Sequence, residues 1–172
     1  MKKYILMVIA PENFRDEEFF EPKEVFEQNG FEVIVASTET GTAKGTQGGT
    51  FDIDFTVDRA KSERYDAIVI SGGGGSRKHL WDNKTLHKLL NDFNSENKTV
   101  AAICISPVVL AKAGLLKEKK CTVFNDTESI EIIKKAGGKL DIEKNVVRDG
   151  NIITANGPAA SKAFGEEVIK KL

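Results

Sequence analysis

Tyr4-Ile-Leu-Met-Val-Ile-Ala10 is an unbroken apolar run, and it constrains the fold more than any other feature of the chain. A strand with water on one side alternates polar and apolar residues. A strand without polar residues is covered on both faces, as in parallel sheets flanked by helices. The next segments fit that architecture. Asp16 to Asn29 reads as a helix with Phe19, Val25 and Phe26 on its apolar side and Gly30 as C-terminal cap. Pro22 is expected either to start this helix or to kink it. Phe31 to Ser37 is a second strand, so the three elements form a β-α-β unit whose crossover should be right-handed.

The pattern continues to the C-terminus. Thr38 to Thr50, rich in Thr and Gly, reads as a loop that has room for a short hairpin. Asp66 to Ser71 is a third strand, running into Gly72-Gly73-Gly74-Gly75, and Asn83 to Asn94 is an amphipathic helix with Leu86, Leu89, Leu90 and Phe93 on one side. Thr99 to Cys104 is a fourth strand, Ser106 to Ala113 a helix stopped by Gly114, Cys121 to Phe124 a short strand, and Thr127 to Ala136 a helix stopped by Gly137-Gly138. Val146 to Thr154 reads as a hairpin turning at Asp149-Gly150, and Ala159 to Leu172 as the closing helix. Strands alternating with helices predict a three-layer α/β sandwich with a mostly parallel, flavodoxin-like sheet, in one domain over residues 1–172.

Composition excludes several function classes. Lys plus Arg is 25 and Asp plus Glu is 26, so a net charge of -1 gives no overall attraction to nucleic acid or anionic lipid. The Lys117, Lys119 and Lys120 cluster, interrupted by Glu118, reads as a solvated turn. No apolar stretch has the length of a membrane span, and two cysteines, Cys104 and Cys121, do not make a disulfide framework. The expectation is a cytoplasmic protein with reduced thiols, no partner nucleic acid and no membrane. Two cysteines and two histidines show no metal-ligand spacing, and no organic cofactor is implied.

Three features are able to carry chemistry, and all fall where a parallel sheet binds ligands, beyond the carboxyl ends of its strands. Cys104 ends a buried strand and precedes a helix, the arrangement of a nucleophile elbow. The helix N-terminus should favour a thiolate and lower the thiol's pKa. From the residue alone, this reading and that of a buried core cysteine weigh equally. Gly72 to Gly75 can bring backbone N–H groups close to a developing oxyanion, or merely form a turn. Asp16-Glu17-Glu18 with Glu21 reads most simply as an acidic helix start.

The segment Val100-Ala-Ala-Ile-Cys104-Ile-Ser-Pro107-Val-Val-Leu110-Ala-Lys-Ala-Gly114-Leu-Leu116 resembles the nucleophile-elbow segment of the PfpI (ThiJ/PfpI) family. That family includes archaeal protease-like proteins and the Parkinson-associated deglycase, within the class I glutamine amidotransferase-like fold. Phe14-Arg-Asp-Glu-Glu18-Phe-Phe-Glu-Pro22 is similar to the family's acidic stretch, Ser71 to Gly74 to its strand-end glycines, and Thr154-Ala-Asn-Gly157-Pro158-Ala-Ala-Ser161 to the C-terminal segment of the deglycase branch. The resemblance implies a stress-related protein in which Cys104 is the reactive cysteine and Glu18 hydrogen-bonds its sulfur. It implies that Gly73, Gly74 and the N–H of Ile105 form the oxyanion region, and that the chain assembles as a homodimer or higher homo-oligomer.

Two positions depart from the pattern. Ile105 stands where the protease-like branch has a histidine, and Phe124 where a histidine or tyrosine is common. The remaining histidines, His79 and His87, read as surface residues, with His79 placed to approach the cleft mouth. A Cys-His dyad therefore has no candidate imidazole, which disfavours a cysteine peptidase or amidase. Glyoxalase- or deglycase-like chemistry on small carbonyl compounds, with a protonated Glu18 beside the Cys104 thiolate, fits without a histidine. The alternative from another class is a redox sensor or binding scaffold that uses Cys104 oxidation without turnover. Cys121, with no elbow around it, reads as structural.

Overall fold

The structure, a computed structural model describing residues 1–172, is built on a seven-stranded sheet. In chain order the elements are β1 (Lys3–Val8), β2 (Glu12–Phe14), α1 (Asp16–Gln28), β3 (Phe31–Ser37), β4 (Thr42–Gly45), β5 (Thr50–Asp52), β6 (Phe55–Thr56), β7 (Ala67–Ile70), α2 (Gly74–His79) and α3 (Lys84–Ser95). There follow β8 (Thr99–Ile103), α4 (Pro107–Lys112), β9 (Lys120–Cys121), α5 (Thr127–Lys135), β10 (Lys139–Leu140), β11 (Val146–Asp149), β12 (Ile152–Ala155) and α6 (Ser161–Lys171). The sheet order is β11-β12-β8-β7-β1-β3-β6. Every pairing is parallel except β11 with β12, whose antiparallel hairpin turns at Gly150 as the Asp-Gly signal requires.

The central strands are apolar because both faces are covered. Ile5 to Val8, Ala67 to Ile70 and Val100 to Ile103 have no exposed surface. Helices α1 and α6 pack together as one layer, and α3, α4 and α5 form contiguous neighbours in the other. Helix α3 buries the predicted stripe of Leu86, Leu89, Leu90 and Phe93, and its Asn83 cap accepts the Leu86 N–H at 2.9 Å. No helix is long and apolar enough to cross a membrane.

Several predicted details differ. Helix α1 does not begin at Pro22; it runs from Asp16 to Gln28 with the proline inside. Proline removes the N–H that would bond the carbonyl four residues back, which is that of Glu18. The buried Ser71 hydroxyl supplies the missing bond, donating to Glu18 O at 3.1 Å. The short hairpin allowed for after Thr38 is present as β4–β5, but it runs on to Asp52, and β2 extends it to a three-stranded sheet. The short strand expected at Cys121 to Phe124 is instead β9, paired only with β10 and outside the main sheet. Beyond it, the Thr122 N–H is taken by Thr154 Oγ1 and the Phe124 N–H by Cys104 O, so no ladder forms.

Histidine 87 is a correction: it is buried, not at the surface, and its Nε2 lies 2.8 Å from Trp81 O. Burial holds its pKa below the ordinary value. His79 is half-buried and its Nε2 lies 3.0 Å from a Glu12 carboxylate oxygen.

Candidate active site

The carboxyl ends of β1, β7, β8 and β12 open onto one cleft of about 330 Å³. Each strand is followed by residues that line it: Arg15 and Glu18 after β1 and β2, Gly73 and Gly74 after β7, Cys104 and Ile105 after β8, Pro158 after β12. All five residues predicted for the site are therefore brought together. Neither histidine lines the cleft.

Cys104 adopts φ 66, a left-handed conformation that a side-chain-bearing residue takes only under constraint. The constraint is visible on both sides. Its N–H donates to Ala155 O at 2.9 Å, and its carbonyl accepts the Phe124 N–H at 2.8 Å. Behind the elbow the Ser106 hydroxyl donates to Ser71 O at 2.6 Å and lies 2.8 Å from the Ser76 hydroxyl, all buried. Trp81 Nε1–H donates to Ile105 O at 3.0 Å. These bonds tie the turn after β8 to the glycine turn after β7, so the sulfur sits on a rigid support.

The glycines are structural parts of the site and not a flexible turn. Gly73 has φ 102, and a side chain there would run into the backbone of Asn13 to Arg15, whose Arg15 N–H donates to Gly72 O at 3.0 Å. Gly72 lies between the Cys104 and Glu18 side chains. A β-carbon at that position would lie 2.5 Å from Cys104 Cβ and 2.5 Å from Glu18 Oε1. Gly74 and Gly75 already belong to α2.

Glu18 is the one acidic residue of its cluster with no exposed surface. Neither carboxyl oxygen has a partner of hydrogen-bond geometry. The Cys104 sulfur and the Gly72 backbone amide lie beside it. Burial pushes the Glu18 carboxyl up to about 7. The Cys104 thiol is pushed up to about 12, first by burial and then by the Glu18 charge, against N–H groups of Gly73 and Ile105 that favour the anion. This corrects the expectation of a lowered thiol pKa: the short helix α4 does not outweigh burial beside a carboxylate. The two acids hold one proton between them at neutral pH. Backbone N–H groups of Gly73 and Ile105 favour negative charge on the sulfur, so they support the anion there when the shared proton passes to Glu18.

Asp16 has a different task from its neighbour. Its two oxygens accept the N–H groups of Gln47 at 2.9 Å and Gly49 at 2.7 Å. They thereby anchor the β4–β5 loop, from which Thr46 lines the cleft. Arg15, Arg77, Asp126 and Trp81 also shape the site, and none stood out in the sequence. The sole tryptophan was the one available signal. Cys121 is fully buried away from the cleft, and burial pushes its thiol up to about 11. No cluster of three His, Cys, Asp or Glu side chains is close enough to hold a metal ion.

Residues 3–171 match the model of the DJ-1/PfpI family. A protein of Methanocaldococcus jannaschii described only as uncharacterized is 49% identical over 168 residues, 98% of this chain and 82% of that protein. A protein named as a deglycase from Pyrococcus horikoshii is 31% identical over 167 residues, 97% of this chain and 98% of that one. Among solved structures, a ThiJ/PfpI domain protein from Brachyspira murdochii superposes with TM-score 0.94 at 36% identity, covering 99% of this chain and 97% of the other. DJ-1beta of Drosophila melanogaster gives TM-score 0.88 at 29% identity, with 100% and 91% covered. The strained elbow cysteine, the glycine turn and the buried glutamate thus sit in a chain that matches its relatives from end to end, and the protein belongs to the DJ-1/PfpI family.

Proposed function

We propose that the protein converts small 2-oxoaldehydes to 2-hydroxy acids by covalent catalysis at Cys104, with Glu18 as the proton carrier. The observation that carries this reading is the buried Glu18 carboxyl, unpartnered by N–H or O–H groups and placed beside the sulfur of a strained elbow. A carboxylic acid kept neutral near pH 7 donates a proton and takes one back readily.

The steps balance without an outside oxidant. The thiolate adds to the aldehyde carbon while Glu18 protonates the oxygen, giving a hemithioacetal. The Glu18 carboxylate then removes the C1 hydrogen, and the enediolate shifts its hydroxyl proton between the two oxygens. Glu18 returns the proton to C2, which leaves a thioester in which C1 is oxidised and C2 reduced. Water attacks the thioester, Glu18 accepts its proton, and the 2-hydroxy acid departs as the thiolate is restored. The N–H groups of Gly73 and Ile105 are placed to stabilise negative charge on the sulfur or on the adjacent oxygen. Several family members from other organisms are named as deglycases, among them those of Pyrococcus furiosus and Escherichia coli, which is in keeping with chemistry on carbonyl compounds.

Turnover of methylglyoxal, followed by appearance of lactate, tests the reading. Cys104→Ser should abolish it, and Glu18→Gln should lower kcat at least about a hundredfold. Retained turnover in Glu18→Gln would refute the assigned role. The second reading, an oxidation sensor, is favoured by the same unpartnered carboxyl, which is able to hydrogen-bond a sulfinate. Stoichiometric oxidation at Cys104 with no turnover of any 2-oxoaldehyde would select it. Peptide hydrolysis is the poorest fit, because no imidazole lines the cleft and Glu18 alone would have to protonate an amine leaving group.

A further inference from the structure

The cleft walls carry two guanidinium groups, from Arg15 and Arg77. Arg15 donates through Nε to Glu17 at 2.6 Å and through Nη2 at 3.4 Å. Arg77 donates through Nε to Glu128 at 3.1 Å and through Nη2 to Asp126 at 3.0 Å. In both, the Nη1 amino group has no protein acceptor. These ion pairs are solvent-accessible, and such pairs hold their partners weakly. Arg77 is kept in place from the other side by the Trp81 ring, 4.7 Å from its guanidinium carbon, and Trp81 also bonds the elbow backbone at Ile105.

The carboxylates of the cleft wall are already engaged by donors of the protein. Asp126 accepts the Ser129 N–H at 3.0 Å and the Ser129 hydroxyl at 2.6 Å besides Arg77. Glu18 shares its proton with Cys104. Charges on Glu18 and Cys104 are felt at Arg15, though less than its Glu17 partner is, so the guanidinium stands close enough to the reacting pair to sense it. The remaining free donors, Arg15 Nη1 and Arg77 Nη1, suit a ligand that brings negative charge.

From this arrangement we infer that the preferred substrate is a 2-oxoaldehyde bearing an anionic group, a carboxylate or a phosphate monoester, held by Arg15 and Arg77 while its aldehyde carbon meets Cys104. The inference rests on Cys104 acting as an addition nucleophile, and it adds Arg15 and Arg77 as specificity-determining residues. A planar guanidinium meets either anion through two parallel bonds, which a neutral methyl group does not reward.

Two alkylating agents of nearly equal size test it without requiring turnover. Iodoacetate is anionic and iodoacetamide neutral, and the ratio of their rates at Cys104 is measured in a Cys121→Ser background. That ratio should exceed the ratio for a small neutral thiol by at least about fivefold, should fall with added NaCl, and should return to the small-thiol value in Arg15→Gln with Arg77→Gln. Any change in thiol pKa affects both reagents alike and cancels. Competition by inorganic phosphate and by acetate separates the two anions, since the matching one suppresses the iodoacetate excess at lower concentration. A ratio equal to that of the small thiol overturns the anionic preference, and methylglyoxal turnover with such a ratio leaves only the Cys104 reading standing. No reaction with either reagent in the folded protein overturns both.

Discussion

Replacing Glu18 by glutamine should change how stability depends on pH, and the size of the change follows from burial. The carboxyl ionises near its ordinary 4.5 in the unfolded chain and near about 7 in the folded one, where burial is the largest cause. Between those values the folded protein holds a proton that the unfolded chain has released, so stability is full below about pH 4.5 and falls as pH rises through about 7. The separation corresponds to about 3 kcal/mol, a large share of a domain's net stability. Glutamine carries no such proton. Urea unfolding of both proteins from about pH 4 to about pH 8 should therefore give a stability difference that moves by about 3 kcal/mol in favour of the variant as pH rises. A constant offset from burying the amide does not affect this movement. The range ends below the ordinary thiol value of 9.0, so Cys104 does not contribute to it. If the two stability curves run parallel to within about 1 kcal/mol, Glu18 is ionised in the folded protein and the shared-proton argument fails.

Other substitutions probe the supports of the site. Gly72→Ala places a β-carbon between Cys104 and Glu18, so it should cost about 1–3 kcal/mol in urea unfolding and lower methylglyoxal turnover at least about tenfold; unchanged turnover would mean the two side chains need not be adjacent. Asp16→Ala removes the acceptor for the Gln47 and Gly49 N–H groups, and should raise protease cleavage within residues 45–49 and raise KM more than it lowers kcat; a pure loss of kcat would argue against a role in shaping the wall. Ser71→Ala leaves the Glu18 carbonyl without its donor and should cost about 1–2 kcal/mol, but much less in a Pro22→Ala background, where the restored N–H reaches the same carbonyl; equal costs in both backgrounds would show that the serine acts elsewhere.

The fold was legible where periodicity carried the signal. Strands such as Tyr4 to Ala10 and helices such as the one ending near Asn94 announce themselves, because a sheet covered on both faces needs apolar runs and a covering helix needs one apolar stripe. Cys104 was legible as an elbow because a buried strand leads directly into a helix. Its environment was not. A helix N-terminus favours a thiolate, but α4 is one short segment, and the opposing burial and carboxylate come from residues 18 and 72, far away in sequence. His87 was misplaced for a similar reason. Its ring finds Trp81 O across a turn, and no local pattern marks that partner. Helix α1 through Pro22 shows the same limit, since the Ser71 hydroxyl that compensates the missing N–H lies 53 residues beyond the Glu18 carbonyl it bonds. Arg15, Arg77 and Trp81 sit on separate segments, so only the folded chain brings them to one cleft.

The proline, the serines and the tryptophan together explain how Cys104 and Glu18 are held side by side without a histidine. Pro22 frees the carbonyl of Glu18, and Ser71 takes it, which fixes helix α1 against the end of β7. Ser106 takes the carbonyl of Ser71 and thereby fixes the elbow against the same strand end. Glu18 and Cys104 are thus both referenced to one residue, Ser71, and Gly72 next to it leaves the gap between them open. In a Cys-His dyad the imidazole itself defines the distance to the sulfur by a directed hydrogen bond. Here the carboxyl has no such bond in the resting site, so backbone anchors must set the spacing. In the proposed reaction, a substrate carbonyl entering that gap would meet a sulfur and a proton whose positions are fixed beforehand, which is the condition under which orientation lowers a barrier. In the proposed reaction the serines would therefore act as positioning residues, though none of their oxygens lines the cleft.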